Sequence, residues 1–337
     1  MAYTELDVWL KEQAGGDDSL RVAAETISGL AAAARDISRK VARGPLNPGL
    51  EGLPVGDIFA YFDDEAGKAF MEALKAAPVA RIAREKGGME EGAAGAPVAV
   101  TLDALNGSSN IDANTSPGTL FAVWPEKGEE TFAQPGEEAL AGGFFIYGPR
   151  TALAFTLKGG GLQIATMDPE TGTFFVTAAD KKLPEPHARE YAVNASNYRF
   201  WDPAIRTYID DMIDGADGPR GVDYNMRWSA SLVAEAIRIL NRGGIFLYPA
   251  DSRPGYGEGR MKLLFHAVPI ALLMEAAGGM ATDGRVRILE KAAERTDVRT
   301  PLIFGSREEV ERVRRYYEMP LGGSRSPLFS KRGLFRF

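Results

Sequence analysis

Between residues 118 and 177, five short apolar runs, "GTLFAVWP", "GGFFIYGP", "TALAFTL", "LQIATMD" and "TFFVT", follow one another at short intervals with Gly, Pro and Asp punctuation. Runs of this length rich in Phe, Ile, Val and Thr read as strands, and most of the gaps are too short for a parallel crossover. The spacing predicts a meandering antiparallel sheet in the middle of the chain. Two more candidate strands, "PVARIA" and "APVAVTLDAL", lead into it.

The flanks are helical. Leu20, Ala23, Ala24, Ile27, Leu30, Ala31, Ala34, Ile37 and Val41 recur at helical spacing after possible caps at Asp17, Asp18 and Ser19, and "RGPLNPG" ends that helix. A second helical segment runs from about Asp63 to Ala77, before Pro78. Beyond the polar, proline-bearing "AADKKLPEPHARE", helical "PAIRTYIDDMID" and "RWSASLVAEAIRIL" precede the strand "GGIFLYP", and "PIALLMEAAGG" is a helix closed by Gly278. The second half is therefore alternating α/β. With 337 residues the chain suits two intimately packed domains, and the polar segment sets their boundary, residues 1–185 and 186–337.

Composition excludes several classes. No apolar run approaches the roughly 18 residues needed to span a bilayer, so no membrane is expected. A net charge of −7 without a basic block argues against a nucleic-acid surface. The absence of cysteine excludes disulfides and thiolate chemistry, and the acidic start "MAYTELDVWLKEQ" shows no secretion signal, so a cytoplasmic location is expected.

The chemistry concentrates in "LDALNGSSNIDANTSPGT", residues 102–119. A Gly-Ser-Ser turn offers backbone N–H groups and hydroxyls to a phosphate, and Asp103 just before it stands at a strand end, where a carboxylate could hold a metal ion. Position 106, where a second carboxylate would complete such a site, is Asn.

This motif, together with "FAQPGEEALAGGFFIYGP", "YAVNASNYRFWDP", "YNMRWSASLVAEAIRILNRGGIFLYPA", "PIALLMEAAGGMATDG" and the terminal "SPLFSKRGLFR", resembles class I fructose-1,6-bisphosphatase, in order along nearly the whole chain. The resemblance implies an α/β (α+β) fold, a layered αβαβα sandwich commonly assembled as a homo-oligomer, dimer or tetramer. It also implies hydrolysis of the 1-phosphate of fructose 1,6-bisphosphate, or of the related sedoheptulose 1,7-bisphosphate. In that family carboxylates hold two or three divalent cations, normally Mg²⁺, against the phosphate.

Transferred position by position, the resemblance makes Asp103 and Glu85 metal ligands, with the Leu105 carbonyl as auxiliary, and gives the phosphate to Asn106, Gly107, Ser108 and Ser109. Asp57 and Asp63 match a mobile loop whose two aspartates help position the attacking water. Asn194, Tyr248 and Arg260 match the pocket for the far phosphate and the sugar hydroxyls, and Arg227 reaches into a neighbouring subunit's pocket. A Lys-Tyr pair found in AMP-inhibited relatives is Pro97-Val98 here, so AMP inhibition of that type is not expected.

Three ligand positions depart from the family pattern. Asp-Pro-Leu-Asp-Gly becomes Asp103-Ala104-Leu105-Asn106-Gly107, Ser-Glu-Glu becomes Ala83-Arg84-Glu85, and the Leu-Tyr-Glu expected at a strand end becomes Leu264-Phe265-His266. Glu90 and Glu91 offer an alternative placement for the displaced pair. Against five carboxylates in the family, Glu85 and Asp103 alone remain, opposed by Arg84. Mg²⁺ should bind poorly to such a set, which tilts any surviving site toward Mn²⁺ or Zn²⁺ through Asn106 and His266, or leaves none. Arg84 could instead pair directly with a phosphate. Two readings follow: a sugar-bisphosphate phosphatase, or a hydrolysis-impaired paralogue that binds sugar phosphates.

Overall fold

A computed structural model describes residues 3–319 except residues 16, 187 and 188. The terminal "SPLFSKRGLFR" motif lies outside the described residues. Helices α1 (Leu6–Gln13), α2 (Asp18–Arg43) and α3 (Val55–Ala76) cover one face of a nine-stranded sheet. Its strands are β1 (Thr4–Glu5), β2 (Val79–Arg84), β3 (Gly88–Glu91), β4 (Val98–Asn106), β5 (Gly118–Pro125), β6 (Ala141–Ile146), β7 (Ala152–Leu157), β8 (Leu162–Met167) and β9 (Phe174–Lys181). They lie in the order β1-β9-β8-β7-β6-β5-β4-β2-β3, and β4 through β9 form the antiparallel meander that the spacing predicts.

The second sheet contains β10 (Glu190–Val193), β11 (Asn225–Met226) and β12 (Ile245–Tyr248), and beyond the short β13 (Met261–Lys262) also β14 (Met280–Thr282). After β15 (Arg299–Thr300), which pairs with β13, strand β16 (Leu302–Gly305) returns between β12 and β14. Helices α5 (Leu232–Arg242) and α6 (Val268–Ala276) are sandwiched between the sheets, while α4 (Pro203–Ile213) and α7 (Arg307–Glu318) cover the outer face of the second. The layers are α, β, α, β, α, as expected.

Two-sided burial explains why the central strands read as continuous apolar runs rather than alternating ones. In β5, Phe121 and Val123 face α2 and α3, while Leu120, Ala122 and Trp124 face the middle helices. Gly118 at the start of β5 carries no Cβ because one would meet Phe145 O at 2.3 Å and Val233 Cγ2 at 2.7 Å. That close approach seats α5 on the sheet directly beside Asn106, the pairing partner of Gly118.

Helix α2 starts and stops where its sequence predicts. The Asp17 carboxylate accepts from the Ser19 and Leu20 N–H groups, and Gly44 at φ +51° ends the helix. The next helix differs from expectation. Rather than starting near Asp63, α3 begins at Val55, because Ile58, Phe62, Ala66, Phe70 and Leu74 form one apolar stripe against the core. No helix among the described residues is long and apolar enough to cross a membrane.

Candidate active site

Strand β4 carries the site. Val98, Val100 and Leu102 face the outer helices, so Thr101 and Asp103 face the middle layer. Pairing with β5 breaks register between Asp103 and Asn106, which takes Ala104 and Leu105 out of the regular ladder. The chain then turns at Gly107, whose φ of +75° is the left-handed region, into a 3₁₀ turn at Ser108–Asn110. Ser108 is buried and Ser109 exposed. The first N–H groups of such a turn have no partner within it, so they suit an anion. The turn is anchored on the loop before α5, since Asn110 Nδ2 donates to Ala230 O at 3.3 Å and Ser231 Oγ to Ser116 O at 2.6 Å.

Asp103 is 4% exposed, and two N–H donors converge on its Oδ2: Asn106 Nδ2 at 2.9 Å and His266 Nε2 at 3.0 Å. The other ring nitrogen of His266, Nδ1, accepts from the Lys262 backbone N–H at 3.1 Å, which fixes the tautomer with the proton on Nε2. His266 does not end a strand as its motif suggests. It sits in a π turn, Leu263–Ala267, between β13 and α6, and the Leu264 carbonyl of that turn accepts from Thr101 Oγ1 of β4 at 3.2 Å. Burial pushes the Asp103 carboxyl up, but the donors from His266 and Asn106 and the nearby Lys86 outweigh it and hold the group below the usual aspartate range.

Asp103 opens onto a cleft of about 470 Å³ between α3, β2 and the end of β4. Parallel pairing of β2 with β4 brings Arg84 level with Leu102 and places Glu85 beside the strand end, where its N–H donates to Leu102 O at 2.9 Å. Glu90 and Glu91 lie on β3 opposite Ile82 and Arg81, further from the strand end than Glu85. Glu90 instead pairs with Arg84 at 2.6 Å and Lys75 at 2.8 Å.

Asp57 and Asp63 are not on a loop. Both belong to α3, and their six-residue separation turns them to different sides of it, because 3.6 residues make a turn. Asp63 lines the cleft and pairs with Lys86 Nζ at 2.7 Å, whereas Asp57 is exposed in the first turn. Glu85 Oε1 pairs with Lys262 Nζ at 2.8 Å. Two carboxylate oxygens of this region, Glu85 Oε2 and Asp63 Oδ1, are buried without a hydrogen-bond partner.

At the other end, Asn194 follows β10 and Tyr248 ends β12. These strands are parallel, so both residues lie at a carboxyl edge, where ligands of such sheets bind. They share a small cavity with Asn197, Trp201 and Asp251. Arg260 Nη1 approaches the Tyr248 hydroxyl at 3.5 Å, and the guanidinium lies 4.7 Å from the Tyr256 ring centroid. Arg227 is exposed, with Nε 3.4 Å from Glu190 Oε1. The two ends are joined through β13, since Lys262 lies two residues beyond Arg260 and touches both Glu85 and His266.

Residues 14–179 match the family described as fructose-1-6-bisphosphatase, N-terminal domain, and residues 184–318 match its C-terminal domain. The chain is 47% identical over 344 residues to a fructose-1,6-bisphosphatase class 1 of Methylorubrum extorquens, covering 99% of this chain and 98% of the relative. The chain belongs to the class I fructose-1,6-bisphosphatase family. A further relative of that name, from Rhizobium meliloti, is 47% identical over 352 residues, with both chains covered in full. The Leishmania major fructose-1,6-bisphosphatase in holo form superimposes with a TM-score of 0.84 at 29% identity, covering 94% of this chain and all of the other. The family comprises phosphatases of carbohydrate metabolism and is dependent on divalent metal.

The residues of this fructose-1,6-bisphosphatase family member do not fit a cluster of several dications. Among the described residues no three His, Asp or Glu groups come together as a metal seat. Glu85 and Asp63 are each matched to an ammonium, and the free imidazole lone pair is already committed to the Lys262 N–H. Lys86 and Lys262 are the members of the site that sequence reasoning misses. The signal available for Lys86 is its place directly after Glu85 in "AREK", which puts a second cation at the strand end.

Proposed function

We propose that this chain is a sugar-bisphosphate phosphatase that removes the 1-phosphate of fructose 1,6-bisphosphate, or of sedoheptulose 1,7-bisphosphate, to leave the monophosphate. The observation that carries the reading is the Gly107 turn, set just beyond Asp103 and anchored to Ala230 and Ser231 of the sugar-side domain. Ser108 and Ser109 cradle the scissile phosphate with their N–H groups and hydroxyls. Asn194, Tyr248 and Arg260 hold the far phosphate and the hydroxyls, Arg260 as a planar fork.

In the reaction, water adds to phosphorus and gives up a proton as the ester P–O bond breaks, and the sugar oxygen leaves and takes up a proton. The open acceptors Asp63 Oδ1 and Glu85 Oε2 are suited to orient that water, and Asp57 has no such position. A divalent cation supplies charge neutralisation and water activation where a family member holds one. Here the seat is weakened, so Glu85, Asp103 and the Leu105 carbonyl make a poor site for Mg²⁺. The domain boundary near residue 185 and a homo-oligomeric assembly belong to this reading, and the exposed Arg227 and Met226 suit the latter.

The occupied carboxylates support a second reading, in which the chain binds sugar phosphates without turnover. Phosphate release from both bisphosphates, assayed with Mg²⁺, Mn²⁺, Zn²⁺ and EDTA, separates the two. Release with any of them supports the phosphatase, and no release with any of them refutes it.

A further inference from the structure

Asp63, Asp64, Glu85 and Glu90 each have a cation of the chain beside them, while Asp103 is held by Asn106 and His266. Lys86 reaches Asp63, Lys262 reaches Glu85, and Arg84 shares Glu90 with Lys75. Lys262 is held on both sides, its Nζ 3.2 Å from the Glu85 carbonyl as well as 2.8 Å from the Glu85 carboxylate.

Five cations, Lys68, Lys75, Arg84, Lys86 and Lys262, oppose five carboxylates, Asp63, Asp64, Glu85, Glu90 and Asp103, so the cleft is neutral before any ligand arrives. A cluster of five carboxylates reaches such a balance only with two or three dications bound. A neutral seat lined by N–H donors can accept a phosphate oxygen without importing positive charge, whereas a further dication must approach Arg84, Lys86 and Lys262.

We propose that Lys86, Lys262 and Arg84 replace the divalent cluster electrostatically, so that this site seats the ester phosphate of a sugar bisphosphate on resident side chains without divalent metal. The inference rests on the reading that the cleft receives a sugar bisphosphate, and it adds how the phosphate is held. Lys86 is the movable member, more than half exposed, and can swing its Nζ from Asp63 to a phosphate oxygen. Lys262, mostly buried, fixes the wall of the seat next to His266.

The test is calorimetric titration of the full chain with fructose 1,6-bisphosphate and, separately, with fructose 6-phosphate, in EDTA and in millimolar Mg²⁺. The expected result is a bisphosphate affinity that differs less than about threefold between the two buffers. Lys86→Met should weaken bisphosphate binding about tenfold or more while leaving fructose 6-phosphate within about threefold, and Lys86→Arg should restore the bisphosphate. An unchanged melting midpoint in Lys86→Met verifies folding, which its exposed position favours. Loss of bisphosphate affinity by tenfold or more in EDTA, or two dications per chain in equilibrium dialysis, overturns the inference. Equal weakening of both sugars by Lys86→Met overturns it too. Absence of phosphate release from a chain that binds the bisphosphate in EDTA refutes the phosphatase and leaves this inference standing. EDTA-sensitive binding with turnover does the reverse.

Discussion

Replacing His266 by Glu puts to the test the idea that the ion seat is closed by hydrogen bonding rather than waiting for metal. In the present structure the Nε2–H of His266 donates to Asp103 Oδ2 at 3.0 Å, and both residues are buried. His266→Glu removes that donor and sets a second carboxylate about 4 Å from the first. At an effective dielectric of ~20 the repulsion is about 4 kcal/mol. The lost hydrogen bond to a charged acceptor is worth about 1.5–3 kcal/mol. Protonation of one carboxyl and the neighbouring Lys86 relieve part of this, so a net loss of about 4 kcal/mol is expected at neutral pH. At roughly 2 °C per kcal/mol for a chain of this size, the melting midpoint in EDTA should fall by about 8 °C. A dication bridging the introduced carboxylate and Asp103 offsets the repulsion, so millimolar Mn²⁺ or Mg²⁺ should recover most of the loss in His266→Glu while moving the wild-type midpoint by less than about 2 °C. The assay is thermal unfolding followed by circular dichroism with and without metal. A variant as stable as the wild type in EDTA, or a wild type stabilised by Mg²⁺ as strongly as the variant, would refute the reasoning.

Three further outcomes are expected. Glu309, 1% exposed, pairs with Arg220 and accepts from the hydroxyls of Tyr208 at 2.7 Å and Tyr224 at 2.9 Å. Glu309→Gln leaves a buried guanidinium without its counter-charge and should cost about 3–5 kcal/mol in urea unfolding, with sugar-phosphate affinity unchanged. Gly107→Ala forces a Cβ into the left-handed region and to 3.0 Å from Asn110 Nδ2, so it should cost about 1–2 kcal/mol and weaken bisphosphate binding in the same titration. Because the folded Asp103 carboxyl lies below the usual range, its stabilising contribution is present above the unfolded value near 3.9 and is lost as pH falls through the folded value. Urea midpoints measured from pH 6 down to pH 2 should therefore converge for wild type and Asp103→Asn at the acid end, and parallel curves would count against the depressed value.

Legibility in the sequence followed the range of the interactions. The meander was readable because each strand is a short apolar run closed by turn residues, and α2 because its cap and stripe are local. The start of α3 ahead of Asp63 is marked only by Ile58, Phe62 and Ala66 at four-residue spacing, directly after a Gly- and Pro-bearing stretch that reads as loop. The π turn at His266 has no local signature. Thr101 of β4 satisfies its Leu264 carbonyl from 163 residues away in sequence, so only the fold reveals it. Likewise the neighbours of Glu85 and Asp103 in sequence say nothing about Lys262, which reaches Glu85 across 177 residues.

The two halves of the cleft depend on different parts of the chain. The proposed phosphate cradle is written in the backbone: a left-handed Gly107 and the N–H groups that follow it suit an anion whatever side chains surround them. The ion seat is written in side-chain carboxylates, where each substitution changes the charge by one or two units at short range. Exchanging Glu for Arg at a ligand position moves the local charge by two, which at 4 Å and an effective dielectric of ~20 is about 8 kcal/mol against a neighbouring dication charge unit. No rearrangement of the cradle offsets a term of that size, so the proposal separates binding of the phosphate from binding of the metal. Arg84→Glu with Asn106→Asp and His266→Glu should therefore increase Mg²⁺ uptake in equilibrium dialysis from less than one to more than one ion per chain, while the fructose 6-phosphate affinity proposed for Asn194, Tyr248 and Arg260 stays unchanged. If the triple variant folds and still takes up no Mg²⁺, side-chain charge is not what closes the seat.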